Sequence, residues 1–466
     1  MCVVALIVSE GQYPGRPDRR RIRPASRTVH ERHRAVVKPR RRKATVTSFW
    51  HPQSNMSIAK DNEVVFVRGK GSTVWDRDGK EYIDAIAGLW YCNVGYGREE
   101  IADAVRDQIA TLSSCMCFDV YTSDRTLELA DRVSAMAPFP DAKVFFTSGG
   151  SESIDTAAKV ARRYWSAMGE HGKTVMISRE GAYHGLNAFG TSLAGIDANK
   201  HGFGDLVEGV ANIPAMDPGA LADEIDRLDG AAAAFFAEPV IGAGGVHPPT
   251  KDYLTEVAAI CREREVLFVV DEVITGFGRL GTMFACERYG ISPDMIAVAK
   301  GVTSGYVPLS AVIFSDRVAQ PFWEGEDAPW LRHGYTYSGH AGACAAAIAN
   351  LDILEEEKLV DRVADLEPRF AEVVTQLEAM PEVSEVRTVG LLAGVQIAAD
   401  VLERDPAFTD KALAAARDRG AISRKLVGNG LQISPPFVIE ESELEQIVTI
   451  FGDAISAVSA DVASAA

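Results

Sequence analysis

From about residue 98 onward the chain alternates short, wholly apolar runs with longer segments of mixed polarity. The runs are Val144–Phe146, Thr174–Ile177, Ala233–Phe236, Val266–Val270, Ile296–Ala299 and Ala311–Phe314. Their apolar residues are continuous rather than alternating, which predicts strands buried on both faces. Helical stretches fall between most of them, Ser153–Trp165 among them, so the pattern predicts an α/β fold with a largely parallel sheet covered by helices. Before residue 98 the texture differs. Val64–Val67, Thr73–Trp75 and Tyr82-Ile83 are short apolar runs, and Asp78-Gly79 between two of them is a hairpin signal. The folded part is expected to begin near Ser48. Beyond about residue 342 an Ala-rich helix leads into a helical stretch over Leu351–Met380, whose Glu355–Lys358 run reads as a solvated helix face. Further helix and short strands complete the tail, and there is no internal repeat.

Composition adds bounds. At 466 residues, 47% hydrophobic and 24% charged, the chain is long enough for two domains and has an ordinary globular balance. Its net charge of −17 is unevenly spread, since residues 1–43 hold 13 Lys/Arg against 3 Asp/Glu. The body beyond them is therefore strongly acidic, which argues against nucleic acid as a partner. Three readings of the basic head stand: a transit peptide, a tail for nucleic acid or an anionic surface, or a start codon placed too early, the last being favoured. Its composition predicts disorder. The seven cysteines show no CxxC spacing, and Cys115 and Cys117 are one residue apart. That usage fits reduced thiols and a cytoplasmic location. No apolar run approaches the roughly 20 residues that span a bilayer, so no membrane is expected.

The chemistry collects at the ends of the apolar runs. Lys300 closes one run and Asp271 closes another, 29 residues earlier. In open α/β sheets ligands bind at that edge. A lysine and an aspartate in one crevice suit pyridoxal phosphate, which needs an amine for its aldehyde and a carboxylate for its ring nitrogen. Two unrelated strand ends, one with a solvated lysine, suit these two residues as well. Thr147-Ser-Gly-Gly-Ser-Glu152 follows a strand and opens a helix, an arrangement whose free N–H groups favour a phosphate and which also serves as a plain N-cap. Tyr183-His184-Gly185 offers an aromatic that can stack on a flat ring, or a surface loop. Glu238-Pro239 brings another carboxylate to the crevice, beside a Gly242–Gly245 turn with room for a ligand. His333 and His340 lie in a Gly-rich polar loop without the partners a metal needs, so no metal is expected. Arg424 is either a surface arginine beside a turn or a bidentate clamp for a carboxylate.

Taken in order, these motifs resemble the class III aminotransferases that use pyridoxal phosphate, and within them the amine:pyruvate, or ω-transaminase, branch. The resemblance runs from about Trp50 to about Glu445. It is carried by Gly88-Leu-Trp90, Asn93–Gly97, Ser148–Glu152, Tyr183–Gly185, Glu238-Pro239, Asp271–Arg279, Ala299–Gly301 and Gly334–His340. It implies an aspartate-aminotransferase-like fold, fold type I, with a large domain over 96–345. A smaller α+β domain would be built from 48–95 and 346–466, and residues 1–47 would stand outside both. It implies Lys300 as the Schiff-base lysine and proton shuttle, and Asp271 as the partner of the ring nitrogen. Gly150 and Ser151 would bind the phosphate, Thr336 would reach the phosphate of the other subunit in a homodimer, and Tyr183 and Val273 would sandwich the ring. His184 and Glu238 would complete the cofactor site. Trp90 at the mouth, Tyr183 inside and Arg424 would meet the substrates. Many relatives acting on ω-amino acids carry a glutamate that parks this arginine; Ala243 stands there, as in the amine:pyruvate branch. Ile241 stands where many members have glutamine. The expected reaction carries an amino group from a primary amine or ω-amino acid to pyruvate. The alternatives are an aminotransferase strict for a charged ω-amine such as taurine, β-alanine, 4-aminobutyrate or a diamine, with pyruvate or 2-oxoglutarate as acceptor, and a non-enzymatic protein that binds pyridoxal phosphate.

Overall fold

The computed structural model describes residues 47–465; the basic head lies outside the described residues. Residues up to Glu63 and those from Val64 onward form separate compact units. In the first, a short helix Met56–Ala59 is capped by Asn55, and His51 Nε2 meets Glu63 Oε1 at 3.0 Å.

The second unit opens with β1 (Phe66–Lys70), β2 (Thr73–Asp76) and β3 (Glu81–Asp84), an antiparallel meander whose second turn holds Asp78-Gly79. Then come β4 (Lys143–Thr147), β5 (Val175–Arg179), β6 (Val210–Ile213), β7 (Ala232–Ala237), β8 (Leu267–Asp271), β9 (Met295–Val298) and β10 (Ser310–Phe314). These seven form one sheet in the order β4-β10-β9-β8-β7-β5-β6. β10 is antiparallel to both its neighbours, and the pairs from β9 across to β6 are parallel.

The continuous apolar runs have the reason inferred from the sequence. Every residue of β7, β8, β9 and β10 is buried. Alternate side chains feed two separate cores. Phe235, Phe268, Val270, Ile296 and Ile313 point into one, and Phe236, Leu267, Val269, Met295 and Val312 into the other. The helix Gly150–Ala167 lies on the second face through Ile154, Ala157, Ala158, Ala161 and Trp165. The first face packs against Tyr253–Glu263 and the Ala-rich helix Ala341–Glu356. Truncating one of these buried phenylalanines to alanine costs about 3–5 kcal/mol in a typical core.

Two smaller sheets flank this body. β11 (Val383–Val389), β12 (Leu392–Ile397) and β14 (Gly430–Ile433) form an antiparallel sheet, and β13 (Ala421–Ile422) joins the N-terminal meander by pairing with β3 in parallel. The two chain ends thus share a sheet. Arg279, wholly buried, ties the sheets together, donating to Asn93 Oδ1 at 2.8 Å, to Pro435 O at 2.6 Å and to Leu391 O at 3.4 Å. Burial lowers its guanidinium to about 9.

The Glu355–Lys358 run is exposed to solvent, as expected, but only its first two residues are helical. It is the end of one helix and the turn into the next, Leu359–Val374, with Lys358 in the left-handed region at φ 51°. Glu355 pairs with Arg132 and Glu357 with Arg98, so two of its carboxylates fasten this turn to neighbouring helices. β6 was not foreseen. It is an edge strand of four residues, only Ile213 of them buried, and carries no strong apolar signal.

Candidate active site

The strand ends foreseen in the sequence meet at one edge of the seven-stranded sheet, where they wall a cavity of about 430 Å³. β4 delivers Ser148–Ser151, the turn after β5 delivers Tyr183 and His184, β7 is followed by Glu238, β8 ends on Asp271, and Lys300 follows β9; all of these line the cavity, as does Val273.

The polar groups are arranged in layers. Asp271 is nearly enclosed; its Oδ1 accepts from Val273 N at 3.0 Å and its Oδ2 from His184 Nδ1 at 2.8 Å. Accepting that second bond needs the proton on Nδ1, and the buried His184 Nε2 has no partner. Glu238 spends both oxygens on backbone, taking the N–H of Tyr183 and that of Gly242, each at 3.0 Å. It thereby joins the aromatic turn to the Gly-rich loop. Burial pushes its pKa up. The buried Arg179 donates to the carbonyl of Glu238 at 2.5 Å and so steadies the same corner.

Lys300 stands at φ 44°, in the left-handed region. Burial lowers its amine to about 8, against the opposing pull of Asp271 and Glu238. A neutral amine beside a buried carboxylate is what a lysine needs in order to attack an aldehyde or take a proton.

The helix end of the cavity is equally specific. Gly149 and Gly150 open the helix that ends at Ala167, and among the described residues nothing accepts from the N–H groups of Gly150 and Ser151. Ser151 Oγ accepts from Leu186 N at 3.1 Å. A Cβ at Gly150 would approach Val273 Cγ1 to 3.0 Å, and one at Gly185 would come within 2.4 Å of Ser151 Oγ. Bare backbone is therefore required where the helix end, the Tyr183 turn and the wall residue Val273 converge. A free helix N-terminus, a reactive amine and a carboxylate along one cavity match the phosphate, aldehyde and ring nitrogen of pyridoxal phosphate. The residues present fit that cofactor.

The substrate side departs from the expectation. Trp90 is not at the mouth: it is 3% exposed, and its neighbours Leu89 and Tyr91 line the cavity instead. The cause is the backbone, since Ala87, Gly88 and Trp90 all have positive φ, and this tight loop turns the indole inward. There the ring meets two cations, with Arg424 Cζ 5.2 Å and Lys300 Nζ 5.7 Å from its centroid. Arg424 is not in the cavity wall, and Thr336 is exposed and takes no part in the cavity of its own chain. Ile241 is buried and pairs with His247 across a tight turn. His333 bonds Thr156 Oγ1 and Lys159 Nζ.

The model of the family described as class III aminotransferases matches residues 56–455. This chain belongs to that family. It is a pyridoxal-phosphate-dependent aminotransferase of fold type I. A probable aminotransferase of Mycobacterium tuberculosis is 39% identical over 417 residues, covering 83% of this chain and 88% of the relative. A β-alanine–pyruvate aminotransferase of Pseudomonas aeruginosa is 35% identical over 91% of this chain and 99% of its own length. Among solved structures, a thermostable (S)-enantioselective ω-transaminase from Thermomicrobium roseum is 38% identical, with a TM-score of 0.83 over 88% of this chain and 96% of that one.

Some wall residues of this aminotransferase had drawn no notice in the sequence. Thr303, Gly305, Val307 and Leu309 come from the connection between β9 and β10. Their only signal is their place directly after Lys300. Arg179 was hidden because a single arginine at a strand end resembles any solvated one.

Proposed function

We propose that this aminotransferase moves an amino group from a primary amine or an ω-amino acid to pyruvate, giving alanine, in two successive half-reactions. The observation that carries this reading is the setting of Arg424. Its guanidinium is half-buried against Trp90, and among the described residues no carboxylate pairs with it. It is therefore free to take the carboxylate of a keto acid in one half-reaction. In the other, Tyr91, Tyr183 and Leu89 offer aromatic and aliphatic surface to a side chain without charge.

Bound in the cavity, pyridoxal phosphate supplies an aldehyde for the incoming nitrogen and a ring that takes up the electron pair a departing proton leaves behind. The protein does the rest. Gly150 and Ser151 hold the phosphate through N–H and hydroxyl groups. Asp271 would keep the ring nitrogen protonated, and His184 donates to its Oδ2 and orients it. Tyr183 and Val273 would flank the ring, with Glu238 fastening the Tyr183 turn. Lys300 Nζ, neutral in part of the population near neutral pH, takes the proton from the amine-bearing carbon of the substrate and returns one in the reverse sense.

A second copy of the chain completes the site in this proposal. Met116, Phe118, Val120 and Tyr121 are exposed, and Phe118 and Cys117 lie against Gly334 and Gly339 of the loop that carries Thr336. An apolar face beside a surface threonine suits a homodimer in which Thr336 reaches the partner's phosphate site. The free thiols among the described residues suit the cytoplasm. No helix among the described residues is long and apolar enough to cross a membrane.

A donor restricted to charged ω-amines is the second reading, favoured by the name of the Pseudomonas aeruginosa relative. The visible spectrum of the holoenzyme separates the two. Addition of 1-phenylethylamine should bleach the cofactor band and pyruvate should restore it. A spectrum that ignores this amine and responds to β-alanine or a diamine would select the second reading.

A further inference from the structure

We propose that Asn350 is a positioning residue for the transfer reaction, its buried amide holding the turn that presents Lys300 and keeping Nζ directed into the cavity. The proposal rests on Lys300 being the reactive amine put forward above. Lys300 stands at φ 44°, a conformation that a residue with a Cβ keeps only where its surroundings enforce it. Ala299 before it is extended, at φ −162° and ψ −145°, so the backbone switches conformation just beyond the end of β9. Lys300–Val302 then make a single tight helical turn, closed by Val302 N on Ala299 O at 3.0 Å. So short a turn has few bonds of its own to resist relaxation into the ordinary right-handed region.

What holds the turn comes from the Ala-rich helix Ala341–Glu356. Asn350 is wholly buried there, and its Nδ2 donates to Gly301 O at 2.9 Å and to Val302 O at 3.1 Å. Those carbonyls belong to the two residues that follow Lys300. Asn350 is the one amide among the buried side chains of a helix otherwise lined by alanine, leucine, isoleucine and Cys344. Leucine would match its volume and favour a helix more, so packing does not account for the amide. Hydrogen-bond satisfaction accounts for only part of it. Gly301 O already accepts from Ser304 N at 3.3 Å, while Asn350 brings a buried Oδ1 that has no partner. An amide kept despite that penalty calls for a role beyond filling space. The rest of the connection is tied separately, by Thr303 Oγ1 on Val307 O at 2.6 Å and by Val94 N on Ser304 Oγ at 3.3 Å. Loss of Asn350 therefore releases the Lys300 turn and leaves the cavity walls in place.

Two ligands added to the full-length apoprotein test this. Pyridoxal phosphate carries the aldehyde that a lysine attacks, and pyridoxine 5'-phosphate lacks it and so reads the cavity alone. In Asn350→Leu the rate of reaction with pyridoxal phosphate, followed by its visible band, should fall about 10²-fold, the scale of a misplacement of roughly 1 Å. Affinity for pyridoxine 5'-phosphate should stay within about twofold, as for a site with no partner in common. A crystal structure of the variant should find Lys300 outside the left-handed region. Asn350→Ser, which keeps one donor, should slow the reaction by only about tenfold, and it serves where the leucine variant does not fold. Equal weakening of both ligands, an unchanged reaction rate, or Lys300 still at positive φ would make Asn350 a packing residue and overturn the proposal. Borohydride reduction of the loaded parent, followed by peptide mapping, checks the premise separately. Cofactor fixed at any residue but Lys300 would overturn that lysine as the reactive amine rather than the placement of its turn.

Discussion

At Lys300 burial opposes the charge, Asp271 and Glu238 favour it, and Arg424 opposes it again; burial wins and the amine falls to about 8. An unfolded lysine titrates near 10.4, so between about 8 and that value the unfolded chain holds a proton that the folded chain has lost. Stability rises with pH across this window, and the penalty of the buried charge is complete below about 8. Lys300→Met should therefore stabilise the apoprotein most below pH 8, with the gain shrinking toward pH 10, as read from urea unfolding. Asp271 is a different case. Asparagine keeps its shape and the bond from Val273 N. Its NH2 can donate to His184 Nδ1 once the imidazole proton moves to the unpartnered Nε2, but it removes the charge proposed to face the ring nitrogen. Asp271→Asn should leave the melting temperature within a few degrees and cut kcat by about 10²–10³-fold, the usual effect of losing one preorganised electrostatic partner.

At the scale of elements, the site depends on turns that tolerate no side chain. Gly185 has φ 86°, and a Cβ there would collide with Ser151 Oγ and Cα. Gly185→Ala should weaken pyridoxal phosphate binding by tenfold or more in titrations of the apoprotein, with far less effect on overall melting. A result in which melting collapses and cofactor affinity holds would contradict this placement. Such elements differ in how openly the sequence shows them. β7, β8 and β9 were legible because strands buried on both faces leave unbroken apolar runs, and the groups that follow them were legible because chemistry at a strand end interrupts such a run. β6 left no such trace, being short and at the edge. The turn at Lys358 was missed because its left-handed residue is a lysine rather than a glycine. The inward Trp90 was missed for a related reason. Its position follows from φ angles that Ala87 and Trp90 adopt only under the grip of Asp84, whose carboxylate accepts from Ile86 N and Gly88 N, and side-chain identity alone does not reveal that grip. The Gly-Gly-Ser helix start gave its signal through composition and place together.

At the scale of the whole molecule, the proposed homodimer with shared sites makes a complementation test possible. Lys300→Ala and Thr336→Asp should each be nearly inactive alone, the second because a carboxylate would face the partner's phosphate. Mixed dimers formed by co-expression hold one site with both residues intact, so activity should return; mixtures without recovery would place Thr336 outside the shared site. The distribution of contacts along the chain has a further consequence, for synthesis. Arg279 follows Asp271 closely, yet its acceptors lie at residues 93, 391 and 435. A buried cation stripped of its partners costs about 3–5 kcal/mol. On the ribosome, Asp271 and Lys300 emerge well before Pro435, and β3 waits for β13 at residues 421–422. A nascent chain thus carries its reactive lysine through the synthesis of residues 301–435 with the scaffold around it unfinished. Shortened products of a stalled ribosome should present exposed core to chaperones and proteases rather than linger as half-working enzymes.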